Sequence, residues 1–469
     1  MKKLLAILFA ACLLLNNSEV VNAQIIANSA TIGSTSKSST SLWPKDAPHV
    51  TSDAAIVMEA STGAILYSKN IHEEFYPASI TKILTTLLAI ENSSLGETVT
   101  FSKKAIFDVD LDSSRIGIDV GEELTMEQSL YGIMLASANE AAYAVAEHIS
   151  GDVDSFADFM NARAKELGCT NSNFVNPNGL PDPNHYTSAY DMALISRAAI
   201  NNDIFRKITG TRTYIIPQTN IQEETRYLAN HHKFIVNNSP FDGCIGGKTG
   251  YTTIAKYTLV TFAERNGMTL ISVIMHCDSI QNEYPDTATL LNYGFANYSL
   301  YNIAEIEEPK SSDSSPLFTK YSSLFSGSNS RLQVNSKDNI VLPNNATYAD
   351  AEKEVTLTPI SSIVEGSNVI GSVTYTYDGG YVGSADIIYN NIATPSLIKG
   401  SFIPVPTANA EAQTYDTSGQ SVSDSNNKKP IIIGVIVGIL VLVLGLYIIF
   451  VELPLRRRRN NYHQNRRRK

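Results

Sequence analysis

Cysteine is scarce in this chain, with four residues in 469, and the first of them, Cys12, lies in an apolar N-terminal segment. The other three, Cys169, Cys244 and Cys277, make an odd count that excludes a disulfide framework and allows at most one bridge. There is no Cys-x-x-Cys pair. His148, His185, His231, His232 and His276 follow no ligand spacing, so no metal or cofactor is implied. Charge is also sparse, at 17% of residues against 43% hydrophobic, which excludes a largely disordered chain. Positive charge is scarcer still. Eight of the 36 basic residues sit in Arg456–Arg459 and Arg466–Lys469, so removing them takes the net charge from −10 to −18. So acidic a remainder is no nucleic-acid binder.

Long apolar runs occur only at the two ends. Residues 1–23 carry two lysines, an apolar stretch from Leu4 to Leu15 and a small-residue site at Val21-Asn22-Ala23. That is the pattern of an export signal, and its apolar stretch is too short to span a bilayer. Residues 430–452 form the other run. Its core, Ile431 to Val451, has 21 residues without a charge, which at about 1.5 Å per residue crosses a hydrocarbon layer of about 30 Å. A buried core helix would not be apolar all round and end in an arginine cluster. The basic tail, residues 453–469, faces the cytoplasm by the positive-inside rule and suits anionic lipid. The expectation is a single-pass cell-membrane protein whose remaining residues are extracytoplasmic.

Between the ends, composition divides the chain. Residues 24–50 read as a linker, 51–300 as a catalytic-size domain, 308–330 as a Ser-rich linker, 331–405 as a β-rich domain and 406–429 as a stalk. Strands are expected at 54–59 and 64–68, then helices from near Ser79, at 126–135, 139–149, 156–167 and 188–201. Alternating runs at 257–263 and 269–276 flank Asn266-Gly267, a hairpin signal, and 286–298 returns to helix. The pattern predicts an α+β domain, helices packed on one antiparallel sheet whose strands come from both chain ends. Short β-prone segments at 340–342, 354–357, 369–377 and 385–389 predict a small all-β sandwich after it.

Three short motifs carry chemistry. In Ser79-Ile80-Thr81-Lys82, helical i, i+3 spacing brings the lysine to the serine hydroxyl. A serine needs a base, and a lysine becomes one when burial or positive neighbours lower its pKa. Pro77 suits a helix start, where free N–H groups can polarise an oxyanion. Taken alone, this spacing better fits an N-cap serine and a solvated lysine. Ser137-Ala138-Asn139 lies between two helical runs, where a hydroxyl can relay a proton and an amide can donate and accept; either residue could also cap the next helix. Lys248-Thr249-Gly250-Tyr251 follows Gly246-Gly247. On a strand edge it offers a cation and a hydroxyl to a carboxylate, with Gly250 leaving room for close backbone approach.

In this order, the three motifs resemble those of the low-molecular-mass D-alanyl-D-alanine carboxypeptidases, the class related to penicillin-binding protein 5. The likeness runs from about residue 50 to 403. It includes Tyr76-Pro77-Ala78-Ser79, Asn176-Pro177-Asn178-Gly179-Leu180, His185-Tyr186-Thr187-Ser188-Ala189-Tyr190-Asp191-Met192 and Gly247 to Thr252. The resemblance implies a β-lactamase/transpeptidase-like fold and a peptidoglycan stem peptide as substrate. Ser79 would be the nucleophile, Lys82 its base and Ser137 the relay to the leaving D-Ala amine, with Asn139 beside them. Lys248 and Thr249 would hold the terminal carboxylate, Gly250 would give space, and the N–H groups of Ser79 and Tyr251 would hold the oxyanion. β-Lactams would acylate the same serine. Glu140 departs from the aspartate frequent after Ser-x-Asn, which implies an altered structural contact. Cys244, close before Lys248, reads as a small buried hydrophobe.

Two rivals share the motifs. A class A β-lactamase needs a Glu-x-x-Leu-Asn pattern between the second and third motifs, whereas Glu166 is followed by Leu-Gly-Cys. A penicillin sensor without turnover would couple to a cytoplasmic domain, and only a short tail follows the span.

Overall fold

The computed structural model describes residues 46–110, 112–236, 241–307, 332–358 and 363–391. The export signal, most of the leader linker, the Ser-rich linker, the stalk, the membrane span and the basic tail all lie outside these residues, as does the end of the β-rich segment.

The central sheet takes β1 (Ala54–Glu59) and β2 (Ile65–Lys69) from early in the chain. Its other strands are β3 (Cys244–Thr252), β4 (Lys256–Arg265) and β5 (Met268–Cys277). The order is β2-β1-β5-β4-β3, antiparallel throughout, with β3 at one edge. Every residue of β1 is buried because both faces of the sheet are covered. Asn266 (φ 52°) and Gly267 (φ 79°) make the β4–β5 turn expected from Asn-Gly; two consecutive positive φ values match the strands' right-handed twist.

One face carries α1 (Lys82–Asn92), α2 (Met126–Leu135), α3 (Asn139–Ser150), α4 (Val153–Glu166), α5 (Ala189–Ile200) and α6 (Asp203–Gly210). Their apolar stripes meet Ile56, Met58, Val260 and Phe262 in the main core. Each fully buried Leu, Ile or Phe there contributes about 1.5–3 kcal/mol. The other face is covered by α7 (Ile280–Asn297), over Val57, Leu259, Leu270 and Ile274. This helix begins earlier than expected. The Ser279 hydroxyl caps the chain upstream of residue 286 by accepting from the Gln281 N–H, and Pro285, inside the helix, costs it a single helical bond.

The β-rich segment differs more. Its strands are β6 (Tyr298–Asn302), β7 (Leu332–Val334), β8 (Asn339–Pro343), β9 (Glu352–Leu357), β10 (Gly366–Tyr377) and β11 (Gly380–Asn391). They are connected by antiparallel pairing in the order β6-β8-β11-β10-β9 with β7 also on β11, and β8 joins β11 at a single pair, Ile340 opposite Gly383. Alternation along β10 buries a single face, and a short helix, α8 (Ile303–Glu307), adds Ile303 to the buried cluster that contains Val373 and Tyr375. The buried Glu307 carboxylate accepts from Lys353 Nζ at 2.7 Å and Tyr375 OH at 3.0 Å. The boundary expected at residue 300 falls inside β6, which runs straight on from α7. Tyr298 OH donates to Leu66 O, and Tyr381 OH donates to Thr62 O, so the second sheet is tied to the β1–β2 hairpin of the first.

Candidate active site

Ser79 lies in a single 3₁₀ turn, Ala78–Thr81, that precedes α1. An α-helical face was the expected reason for its contact with Lys82. In a 3₁₀ turn i and i+3 eclipse, which stacks the two side chains still more directly. Lys82 is fully buried. Its Nζ lies 3.0 Å from Ser79 Oγ, 2.7 Å from Asn139 Oδ1 and 2.5 Å from the Asn178 carbonyl. Burial first, then the nearby Lys248 charge, hold its pKa well below the lysine range, with Glu140 opposing. A neutral amine has two N–H donors and one lone pair. In that form the two carbonyl-type acceptors take the donors, which leaves the lone pair for the serine hydroxyl; in the charged form Nζ donates to all three oxygens.

Asn139 starts α3, and Ser137 reverses the chain between α2 and α3 at φ 60°. The reversal is held by Ala138 N–H to Gly132 O and Asn139 N–H to Ser114 O. From β3, buried Lys248 donates to Ser137 Oγ at 3.1 Å and to Thr249 O at 2.9 Å. Burial lowers its pKa to about 7. At Gly250 a Cβ would lie 2.9 Å from Ser79 N, so the absence of a side chain lets the edge strand meet the Ser79 turn. Tyr251 is 55% exposed and its ring lies against Tyr257, with centroids 4.6 Å apart.

Ser79, Lys82, Ser137, Asn139, Lys248 and Gly250 therefore meet in one place, with Thr249 joining through its carbonyl and the Tyr251 ring lying against Tyr257. Sequence reasoning missed their supports. The Asn178 carbonyl is the nearest acceptor to Lys82. Gly179 (φ 83°) packs so tightly that a Cβ would sit 1.8 Å from Ala78 O. Buried His185 accepts the Val175 N–H on Nδ1, which leaves Nε2–H to donate to Thr81 Oγ1 at 2.9 Å. Burial pushes its pKa to about 4, so it is neutral at ordinary pH. The Asn176–Leu180 and His185–Met192 blocks carried the only signal for these residues, and it came without a role.

Glu140 is a structural residue: its Oε1 accepts the Ile116 N–H at 2.7 Å, and burial raises its pKa. Cys244 is half-buried with its thiol pushed up to about 11 by burial, which leaves it a packing residue.

A serine hydroxyl facing a buried lysine, beside an edge strand that presents a second buried lysine, defines a serine acyl-transfer enzyme on a transpeptidase-like fold. The family model for D-alanyl-D-alanine carboxypeptidases, peptidase family S11, matches residues 43–279. DacA of Haemophilus influenzae, a D-alanyl-D-alanine carboxypeptidase, is 30% identical over 369 residues, covering 75% of this chain and 87% of that relative. DacF of Bacillus subtilis is 36% identical over 251 residues, which is 53% of this chain and 63%, under two thirds, of that relative. Among solved structures, penicillin binding protein 5 of Haemophilus influenzae matches with a TM-score of 0.58 at 28% identity, over 74% of this chain and 98% of that one. A mutant of the Streptomyces K15 DD-transpeptidase matches at 0.51 and 31%, over 53% of this chain and all of that one. The chain belongs to the D-alanyl-D-alanine carboxypeptidase family of serine hydrolases.

Proposed function

We propose that the protein removes the terminal D-alanine from peptidoglycan stem pentapeptides through an acyl-enzyme on Ser79. The observation that carries this reading is the set of three contacts around a buried Lys82 whose pKa burial holds well below the lysine range. Lys82 accepts the Ser79 proton as Oγ attacks the carbonyl between the two D-alanines. The N–H groups of Ser79 and Tyr251 hold the developing oxyanion. Ser137, bonded to Lys248, passes a proton to the departing amine. Lys248, with Thr249, takes the free carboxylate that only a peptide end offers, which makes the enzyme an exopeptidase. Water then hydrolyses the ester. A β-lactam carries the same carboxylate and a strained amide, so it acylates Ser79 in place of substrate.

Against a β-lactamase, Glu166 ends α4 and pairs with Arg163 on the surface. Residues 430–452 are assigned as the membrane anchor, with the catalytic domain outside and the tail in the cytoplasm, on the strength of the uncharged run and the basic residues after it. Among the described residues no helix is long and apolar enough to cross a membrane.

The purified protein incubated with a stem pentapeptide is expected to release one alanine, read by mass. Ser79→Ala abolishes both this release and covalent labelling by fluorescent penicillin. Normal release by that variant would refute the acyl-enzyme.

A further inference from the structure

Outside the three motifs, one buried hydroxyl reaches the nucleophile's turn from the sheet side. Thr258 on β4 is fully buried and lies in register directly opposite Gly250. Its hydroxyl donates to the Pro77 carbonyl at 2.8 Å. A Cβ at Gly250 would fall 2.3 Å from Thr258 Oγ1, 2.9 Å from Ser79 N and 3.1 Å from Pro77 O, so these groups converge on one spot.

Between Pro77 and Ser79 stands Ala78, at φ 51°, in the left-handed region that disfavours a residue with a Cβ. Such a conformation persists only where its surroundings over-determine it. Two restraints do so here. Gly179 closes on the Ala78 carbonyl, which shares a peptide plane with the Ser79 N–H. Thr258 holds the preceding plane through Pro77 O. With both planes held, the direction of the Ser79 N–H is set before any substrate arrives.

We propose that Thr258 is a positioning residue for acylation, its hydroxyl holding the Pro77 carbonyl so that the Ser79 N–H faces the oxygen that gains charge. The inference rests on Ser79 being the nucleophile. A hydroxyl that merely satisfied the nearest carbonyl would affect stability and leave the chemical step alone.

The test compares Thr258→Val, Thr258→Ala and Thr258→Ser in the full-length protein. The readouts are the second-order rate of acylation by fluorescent penicillin, kcat and KM for D-alanine release, and Tm. Valine keeps the shape without the hydroxyl; the serine and alanine variants differ from each other by the hydroxyl alone. Val and Ala are expected to slow acylation and kcat about tenfold or more with KM changed less than about threefold, because misdirected oxyanion donors act on the transition state. Serine is expected to restore the rate to within about threefold of wild type, whatever its Tm. Folded Val or Ala variants acylating at the wild-type rate would overturn the inference, and so would a serine variant as slow as alanine. Should the valine variant not fold, the serine–alanine pair decides alone. A wild type that labels normally beside an unaffected alanine variant sinks only this inference; a wild type that never labels on Ser79 sinks the acyl-enzyme as well.

Discussion

Replacing Gly179 by alanine adds one methyl group where the backbone has least room for it. At φ 83° a residue with a Cβ is strained by about 1–2 kcal/mol. Space is the larger obstacle. The methyl would lie 1.8 Å from Ala78 O and 2.4 Å from Ala78 C, both backbone atoms that cannot rotate aside. Reaching even a tight 3.0 Å contact requires a shift of about 1.2 Å. If the Asn176–Leu180 loop yields, Lys82 loses its 2.5 Å acceptor at Asn178 O; if the turn yields, Ser79 moves. A misplacement of this size costs about 10²-fold in rate. Gly151 is the matched control, with φ 85° and open space around its missing Cβ. Gly151→Ala should lower Tm by a few degrees and leave acylation unchanged, since about 1 kcal/mol is worth roughly 2–4 °C in a domain of this size. Gly179→Ala should lower Tm further and slow fluorescent-penicillin acylation about 10²-fold. Equal acylation rates in the two variants would refute the claim that this contact sets the nucleophile's position.

Two further outcomes follow from buried charge. Lys82 must be neutral to accept a proton, so acylation rises with pH as it deprotonates. Lys248, at about 7 in the free protein, must be charged to hold a carboxylate, so kcat/KM for a carboxylate-ended peptide falls above that pH. A substrate ending in an amide should lose the alkaline limb and keep the acid one; a flat profile with the natural substrate would contradict both roles. Elsewhere, Glu122 is fully buried, and although burial raises its pKa, bonds from Arg226 and its neighbours hold it below the usual range. Arg226 meets both carboxylate oxygens, at 2.6 and 2.9 Å. Arg226→Met should therefore cost about 3–5 kcal/mol in urea unfolding, and adding Glu122→Gln should recover a large part of it. A single variant within about 1 kcal/mol of wild type would show that water already reaches the pair.

The sequence alone determined the elements and the chemistry. The β-prone runs at 257–263 and 269–276, the Asn-Gly turn between them and the apolar runs of α1 to α5 are local patterns that the structure carries as β4, β5 and these helices, with β4 and β5 buried on both faces because helices cover the sheet on each side. Ser79, Lys82, Ser137, Asn139 and Lys248 were legible because each motif keeps its reactive groups within a few residues. Only the tertiary structure decided how those groups are held. Asn178 reaches Lys82 across 96 residues, His185 reaches Thr81 across 104, and Thr258 reaches Pro77 across 181. No local periodicity records such contacts, because a carbonyl or hydroxyl becomes an acceptor or donor for a distant group only when packing brings the two together. The same holds for the second sheet: β-prone segments were readable, but whether a helix or another sheet covers their apolar face depends on which element the chain folds back. For Lys82, the residues themselves supplied an amine beside a hydroxyl. Its low pKa came from the fold, because complete burial and a second lysine from the far end of the domain are what disfavour its charge.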